Sequence, residues 1–301
     1  MRGIVTVLNT PFRNDNSIDV DGLRQNVANA LDVGIVGFLA PALAGEVNLL
    51  TFDEKRRLIE EIVAEVRGRV PVIGGAAASR PAERLGLSRM YADLGCSGVL
   101  VQLSAQDDLL QIERELLQLD RMGFGQLMVQ DWDPDGFGLS LDVIQRLCDR
   151  VAGFNWLKIE VQNAGPKYTQ VLTVLEGRLS VAGGWAVTEM IDGLNRGVHA
   201  FMPTGMHLIY TEIYRRFAAG EQASAACLFE KIAPILQFSN QHLDVSIRFF
   251  KRLLHHQGIF QTPKVRIASP PWDIDNERIA DEWITRVIEI EEEIRPFRSD
   301  Q

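Results

Sequence analysis

The sequence predicts an α/β fold, a (β/α)8 TIM barrel with additional C-terminal helices, and three observations carry that expectation. Short β-branched runs alternate with longer stretches of helical periodicity, the order that a parallel sheet with covering helices requires. Eight such runs can be counted, the number that closes a parallel sheet on itself. After the eighth, the pattern turns to helix only. A length of 301 residues suits this architecture, because barrels commonly run to about 250 residues before additions.

The expected strands run from Gly3 to Leu8, Ile35 to Ala40, Val70 to Gly74, Gly98 to Gln102, Gln126 to Gln130, Asn155 to Ile159, Leu179 to Ala182 and Ala200 to Met202. The helix after the first strand turns Leu23, Val27, Ala30 and Leu31 inward. Thr51-Phe52-Asp53-Glu54 has capping-box spacing and opens a helix with Leu58, Ile59, Ile62, Val63 and Val66 along one stripe. Pro81 follows Ser79-Arg80, where a first helical turn tolerates it, and Gly95 and Gly98 bracket the return to a strand. Beyond the last strand, helices are expected from His207 to Phe217, from Ala223 to His255 and over roughly Asn276 to Glu293, before Pro296. Their apolar residues, among them Leu228, Ile232, Ile235, Leu236, Ile284, Val287 and Ile288, should pack on the barrel or on another subunit. The chain thus divides into a barrel over 1–206 and a helical region over 207–301. The glutamates of Glu289-Ile290-Glu291-Glu292-Glu293 read as a solvated helix face.

With 46% hydrophobic and 24% charged residues the composition is that of an ordinary globular protein. Lys and Arg total 31 against 40 Asp and Glu, a net charge of -9. That balance argues against nucleic acid, which needs a clustered basic surface, and against an anionic membrane. No apolar run approaches the about 18 to 20 residues of a membrane helix, and the N-terminus reads as a first strand instead of a signal peptide. Cys96, Cys148 and Cys227 are odd in number and without C-x-x-C spacing, so neither a disulfide framework nor a zinc site is suggested. The expectation is a soluble, cytoplasmic protein. His199, His207, His242 and the adjacent His255-His256 offer no metal-ligand spacing, and no phosphate loop, dinucleotide fingerprint or G-x-S-x-G elbow is present. A mechanism with no metal and no cofactor is the simplest fit.

A barrel carries its active site where the strands stop. Lys158 stands out there, because Phe154-Asn155-Trp156-Leu157-Lys158-Ile159 is otherwise an apolar strand and a buried lysine is rare unless paired or used. Desolvation lowers a lysine pKa, and a neutral amine attacks a carbonyl to form a Schiff base. A lysine that merely pairs with Glu160 or Asp131 at the barrel mouth is the other reading, and position alone leaves both open.

These residues resemble the class I aldolases related to dihydrodipicolinate synthase and N-acetylneuraminate lyase, over nearly the whole chain. Thr10-Pro11-Phe12 is similar to that family's entry loop, Gly45-Glu46 with Leu50-Thr51 and Glu54 to its G-E-x-x-x-L-T-x-x-E segment, and Pro71-Val72-Ile73-Gly74-Gly75 to its third strand. Gly183-Gly184 resembles its glycine turn, and Lys251 with Val265-Arg266 its C-terminal region. The resemblance implies that Lys158 is the Schiff-base lysine, that Glu46 supports its loop, and that the protein is a homotetramer, a dimer of dimers.

The departures are specific. The family's paired threonines stand here as Leu43 and Ala44, its catalytic tyrosine aligns with Asp131 in Asp131-Trp132-Asp133-Pro134, and its second tyrosine is missing from Val101-Gln102-Leu103-Ser104-Ala105. They argue against synthesis of dihydrodipicolinate itself. Asp131 is expected as proton shuttle beside Lys158, its pKa raised by partial burial, with a turn-forming Asp as the alternative. Leu43, Ala44, Gly45, Gln102, Gln130, Gly184 and Met202 are expected to bind substrate, with the backbone of Ala44-Gly45 offering N–H groups to a carboxylate. Asn9 adds a neutral hydrogen-bonding group, Thr204 a replacement hydroxyl, and Trp132 and Trp185 an apolar wall. Gly183-Gly184 would also give a phosphate room, but no basic fingerprint accompanies it.

The expected function is a Schiff-base-dependent lyase or aldolase acting on a small carbonyl substrate, a 2-keto acid or a relative of one, through an imine at Lys158. Two alternatives stand beside it: a catalytically silent barrel that binds a small ligand or a protein partner, and an imine-forming dehydratase.

Overall fold

The structure is a computed structural model that describes residues 1–103, 108–184 and 187–295. Strands and helices alternate as β1 (Gly3–Val7), α1 (Val20–Asp32), β2 (Gly37–Ala40), α2 (Phe52–Val66), β3 (Val72–Gly75), α3 (Pro81–Asp93), β4 (Gly98–Leu103), α4 (Leu109–Asp120), β5 (Gln126–Asp133), α5 (Leu141–Arg150), β6 (Phe154–Val161), α6 (Ala164–Val174), β7 (Ser180–Gly183), α7 (Met190–Asn195), β8 (Ala200–Phe201) and α8 (His207–Ala218). Each strand pairs in parallel with the next, and β8 returns to β1 through Gly3↔Ala200 and Ile4↔Phe201, so the barrel is closed. Three further helices follow: α9 (Gln222–Ser239), α10 (Leu243–His256) and α11 (Ile274–Ile294).

All eight expected strands are present, and β5 and β6 run furthest past their expected ends, to Asp133 and Val161. The ladder between β5 and β6 continues to Asp133↔Val161, which raises one wall of the barrel mouth and carries Trp132 and Glu160 with it. The capping box opens α2 as its spacing predicts: Thr51 Oγ1 accepts the Glu54 N–H at 3.2 Å and Glu54 Oε2 accepts the Thr51 N–H at 2.9 Å.

Two expectations need correction. The single helix from Ala223 to His255 is two, because the chain turns at 240–242: Asn240 ends α9, and the extended His242 caps α10, its Nδ1 accepting the Asp244 N–H at 3.1 Å. Neither Gly nor Pro marks this break. The acidic run of α11 is not wholly solvated either. Glu291 is buried and accepts both hydrogen bonds of the Gln257 amide nitrogen, at 3.1 and 3.0 Å, while burial raises its carboxyl pKa.

Two apolar layers hold the barrel. One fills its interior with one or two side chains from every strand, Val5, Val7, Leu39, Ile73, Leu100, Met128, Trp156, Ala182 and Ala200, together with Met202 just past β8. The other lies between the strands and the helical shell, and it runs without interruption into α9, α10 and α11 through residues such as Leu228, Ile232, Phe249, Leu253, Ile284 and Val287. The C-terminal helices therefore share the barrel's core.

A polar knot ties these helices to the front of the barrel. Glu46, in the left-handed conformation between two short 3-10 turns at Leu43–Gly45 and Val47–Leu49, is paired with Lys251 of α10, and both side chains are fully buried. Glu46 Oε1 also accepts the N–H groups of Arg266 and Ile267 at 2.6 and 3.0 Å, and Lys251 Nζ donates to the Lys264 carbonyl at 3.0 Å. The Phe12 ring carries Lys251 Nζ at 4.1 Å and the Arg266 guanidinium at 4.0 Å from its centroid. Arg266 then pairs with Glu54, the residue that closes the capping box of α2. Burial outweighs the attraction of Glu46 and lowers the Lys251 pKa to about 8.

Breaking this knot on one side leaves a buried charge uncompensated, so Glu46→Gln is expected to lower the urea-unfolding free energy by about 3–5 kcal/mol. The double variant Glu46→Leu/Lys251→Met is expected to lose less than that single variant. A second buried group sets a pH dependence. His207, at the start of α8, lies with Nδ1 3.0 Å from Thr6 Oγ1 and Nε2 3.1 Å from Asn26 Oδ1, and burial lowers its pKa to about 4. The unfolded chain takes up this proton near pH 6.5, so the stability it carries is complete above that pH and is lost as pH falls toward 4. The loss is on the order of 3 kcal/mol. The unfolding free energies of the parent and of His207→Gln should therefore converge by about that amount between pH 7 and pH 4; parallel curves would refute the assignment.

Candidate active site

Side chains alternate along a strand, and the barrel's inner layer fixes which alternate set faces inward. Above Leu100, Met128 and Trp156 of that layer stand Gln102 on β4, Gln130 on β5 and Lys158 on β6, brought level by the register Gln102↔Gln130 and Gln130↔Lys158. One step higher come Trp132 and Glu160, also paired in register. Lys158 is 5% exposed, and its Nζ lies 3.0 Å from Glu160 Oε1. The Gln130 side-chain amide donates to Glu160 Oε2, so the carboxylate is held between an amide and an amine.

Gly184 makes room for that carboxylate. A Cβ at this position would stand 2.2 Å from Glu160 Cγ, and the Gly184 N–H is already bound to the Ile159 carbonyl at 3.1 Å. Gly184 thus seats Glu160 and does not line the cavity.

The cavity above Lys158 has a volume of about 500 Å³. Its floor and walls include Val7, Leu39 and Leu100 from the strands, Met202 just past β8, the turn residues Leu43 and Ala44, and the rim residue Trp132. Its roof is formed by α9 and α10, through Leu236, Gln237, Asn240, His242, Leu243, Ser246 and Phe250. Tyr210 of α8 joins the wall, and burial raises its phenol pKa.

Of the residues singled out in the sequence, the structure brings Leu43, Ala44, Gln102, Gln130, Lys158 and Met202 to this one cavity. Gly45 is not among its lining residues: its N–H donates to the Ala42 carbonyl at 2.9 Å, its carbonyl accepts from Thr10 Oγ1 at 2.7 Å, and an added Cβ would meet the Leu8 carbonyl oxygen at 2.7 Å. The expectation that the Ala44-Gly45 backbone serves a carboxylate is corrected for the Gly45 N–H, which the turn itself uses. Thr204 also lines the cavity, but its hydroxyl is used by the scaffold, with Oγ1 on the Val7 carbonyl at 2.7 Å and on Asn9 Oδ1 at 3.0 Å, while Asn9 Nδ2 donates to the Ala44 carbonyl at 2.9 Å.

Asp131 is the main correction. It pairs in register with Ile159, not with Lys158, and so lies on the outward face of β5. There it is fully buried, ion-paired with Lys167 of α6, and accepts the Leu139 N–H at 2.8 Å, which pins the loop into α5. Burial raises its pKa against the pull of Lys167, as expected, but the group is on the wrong side of the strand to act on a substrate at Lys158. The turn-forming alternative describes it better. Glu160 takes the place beside the lysine, and the signal for it was present in the sequence: two residues beyond Lys158 on a strand is the same face. No local signal marks Tyr210 or the roof residues. Trp185 and Ser104 lie outside the described residues. Among the described residues no group of three or more His, Cys, Asp and Glu is placed to hold a metal ion, and no helix is long and apolar enough to cross a membrane.

Comparison with known proteins agrees with this architecture. The family model described as the dihydrodipicolinate synthetase family matches residues 1–280. A 4-hydroxy-tetrahydrodipicolinate synthase of Methanosphaerula palustris is 36% identical over 295 residues, covering 92% of this chain and 96% of that protein. Another protein of the same name, from Methanopyrus kandleri, is 40% identical over 101 residues, a match to 33% of this chain and only 34% of that protein's length. The solved structure of the 4-hydroxy-tetrahydrodipicolinate synthase from Methylacidiphilum fumariolicum SolV superposes with a TM-score of 0.87 over 98% of both chains at 18% identity, a likeness of fold. A family match that runs through the barrel and into α11 shows that the chain belongs to the dihydrodipicolinate synthetase family.

Proposed function

We propose that the protein is a Schiff-base-forming lyase or aldolase that acts on a 2-keto acid or a related carbonyl compound, with the imine at Lys158. The observation that supports this reading is the buried amine on the inward face of β6, at the base of a cavity and 3.0 Å from a carboxylate oxygen. Family membership supports the reaction class, and the residues supply the roles.

In the proposed cycle Glu160 accepts a proton from the Lys158 ammonium, and the neutral amine adds to the substrate carbonyl carbon. The carbinolamine hydroxyl takes the proton back and leaves as water. The protonated imine nitrogen then draws the electron pair of the Cα–Cβ bond, one bond removed from the imine carbon; as it breaks, the Glu160 carboxylate takes the β-hydroxyl proton, which leaves an enamine and a carbonyl product, and the same proton then serves the enamine carbon. Protonation of the enamine carbon and hydrolysis of the imine return the free amine; condensation is the same path reversed. Gln130 aims the carboxylate throughout, and Leu43, Ala44, Gln102 and Met202 are the proposed substrate contacts.

Borohydride reduction in the presence of a panel of 2-keto acids, aldehydes and ketones, followed by peptide mass spectrometry, is expected to place a substrate-sized mass on Lys158. The mass should be absent from Lys158→Ala with the circular-dichroism spectrum unchanged. No adduct from the folded parent across the panel would return the silent barrel. Glu160→Gln removes the proton acceptor and is expected to slow imine formation about 10²- to 10⁴-fold, read as the rate of trapping. Gly184→Ala, whose methyl displaces Glu160, should slow it in the same direction; an unchanged rate in both variants would exclude Glu160 from the relay.

A further inference from the structure

We infer that Lys167 is a positioning residue for the candidate site: its ammonium fills the cation position of a calcium-type loop over 131–142 and thereby holds Trp132 at the cavity wall. This deepens the proposed function and rests on it for the role of the cavity, while the loop itself is independent of the imine.

Asp131-Trp132-Asp133-Pro134-Asp135-Gly136 has the D-x-D-x-D-G spacing of the twelve-residue calcium loop, with Asp142 at the twelfth place and α5 as the helix that leaves it. In such a loop the carboxylate of the first residue and the backbone carbonyl of the seventh bind the ion. Here those groups belong to Asp131 and Phe137, and one ammonium holds both. Lys167 Nζ is ion-paired with Asp131 Oδ2 and donates to the Phe137 carbonyl at 2.5 Å. The Lys167 side chain is 11% exposed and that of Asp131 1%, so the cation is enclosed as a bound ion would be.

The other contacts close the loop on an ammonium in place of a metal. Asp131 Oδ1 accepts the Leu139 N–H at 2.8 Å, and Asp133 is used by the N–H groups of Asp135 and Gly138, at 3.3 and 3.0 Å. Gly138, with φ +68°, lays its backbone against the first carboxylate, where a Cβ would stand 2.2 Å from Asp131 Oδ1.

The clamp matters to the cavity because of where it is anchored. Lys167 belongs to α6, and Gln162, between β6 and α6, donates to the Pro134 carbonyl at 2.6 Å. The loop after β5 is thus stitched to the segment after β6, beyond the last ladder pair Asp133↔Val161. Trp132, which lines the cavity, lies between the two pinned aspartates. Without the ammonium, Asp131 becomes a buried anion with no cation of its own, and the strand end that carries Trp132 loses its tie to α6.

The test compares the parent with Lys167→Met and with Asp131→Asn/Lys167→Met, the second removing both buried charges so that loss of fold does not decide the result. Acrylamide quenching of the emission that Trp132→Phe removes is expected to rise about twofold in both variants as the wall opens locally. Unchanged quenching in folded variants overturns the inference. In cyanoborohydride trapping with 2-oxo-4-phenylbutanoate, the half-saturating concentration for labelling Lys158 should rise about fivefold while the rate at saturation is kept, the mark of a lost binding wall. An unchanged half-saturating concentration also overturns it, because a role in stability alone would lower only the amount of labelled protein. Absence of labelling in the folded parent counts against the imine reading alone, and the quenching then decides the inference. Calcium chloride at about 5 mM, above the dissociation constants of weak calcium loops, is expected to leave the parent's melting temperature unchanged. A rise would show a metal taking the place of Lys167 and overturn the assignment.

Discussion

The buried pair between Glu46 and Lys251 is the constraint on which the rest of the architecture depends. The two residues are 205 positions apart, and neither side chain reaches solvent. Two ions so placed are tolerated only when every remaining lone pair and proton is engaged, and here the backbone of Lys264, Arg266 and Ile267 completes the set. One interaction thereby fixes the turn over Leu43–Gly45, the helix α10 that roofs the cavity and the segment leading to α11. Through Arg266 and Glu54 it reaches the start of α2, and through Phe12 the loop after β1. The cavity walls are consequently set by a network that lies behind them.

Inside that frame, strand register assembles the candidate site. Trp156, Lys158 and Glu160 point inward from β6 because the alternate residues Leu157, Ile159 and Val161 belong to the shell between strands and helices. The neighbouring β5 presents Gln130 level with Lys158 and Trp132 level with Glu160. Gly184 completes the arrangement by the absence of a side chain. An amine, a carboxylate and an amide are thus held together on adjacent strands, with a largely apolar chamber above them.

Much of this was legible in the chain. The eight strands, the capping box at Thr51 and Glu54, and the buried lysine at the end of β6 all follow from local rules, period two or 3.6 and the chemistry of helix starts. Asp131 was misread for a physical reason. In a closed parallel barrel both faces of a strand are buried, one in the interior and one under helices, so hydrophobic alternation does not say which face is inside. Asp131 and Gln130 are equally plausible at the end of β5 until the register with Lys158 selects Gln130. The break at Asn240–His242 was hidden because the cap is a histidine side chain, not a glycine or proline.

The sequence by itself determined the order and kind of most elements and the presence of an amine near the end of β6, because these depend on residues near one another along the chain. Only the tertiary structure decided that Glu160 and not Asp131 accompanies Lys158, that Gly184 is the seat of that carboxylate, and that α9 and α10 form the roof. Those outcomes depend on strand register and on a buried charge pair spanning two thirds of the chain, and long-range pairings of that kind leave no periodic trace in the segments they join.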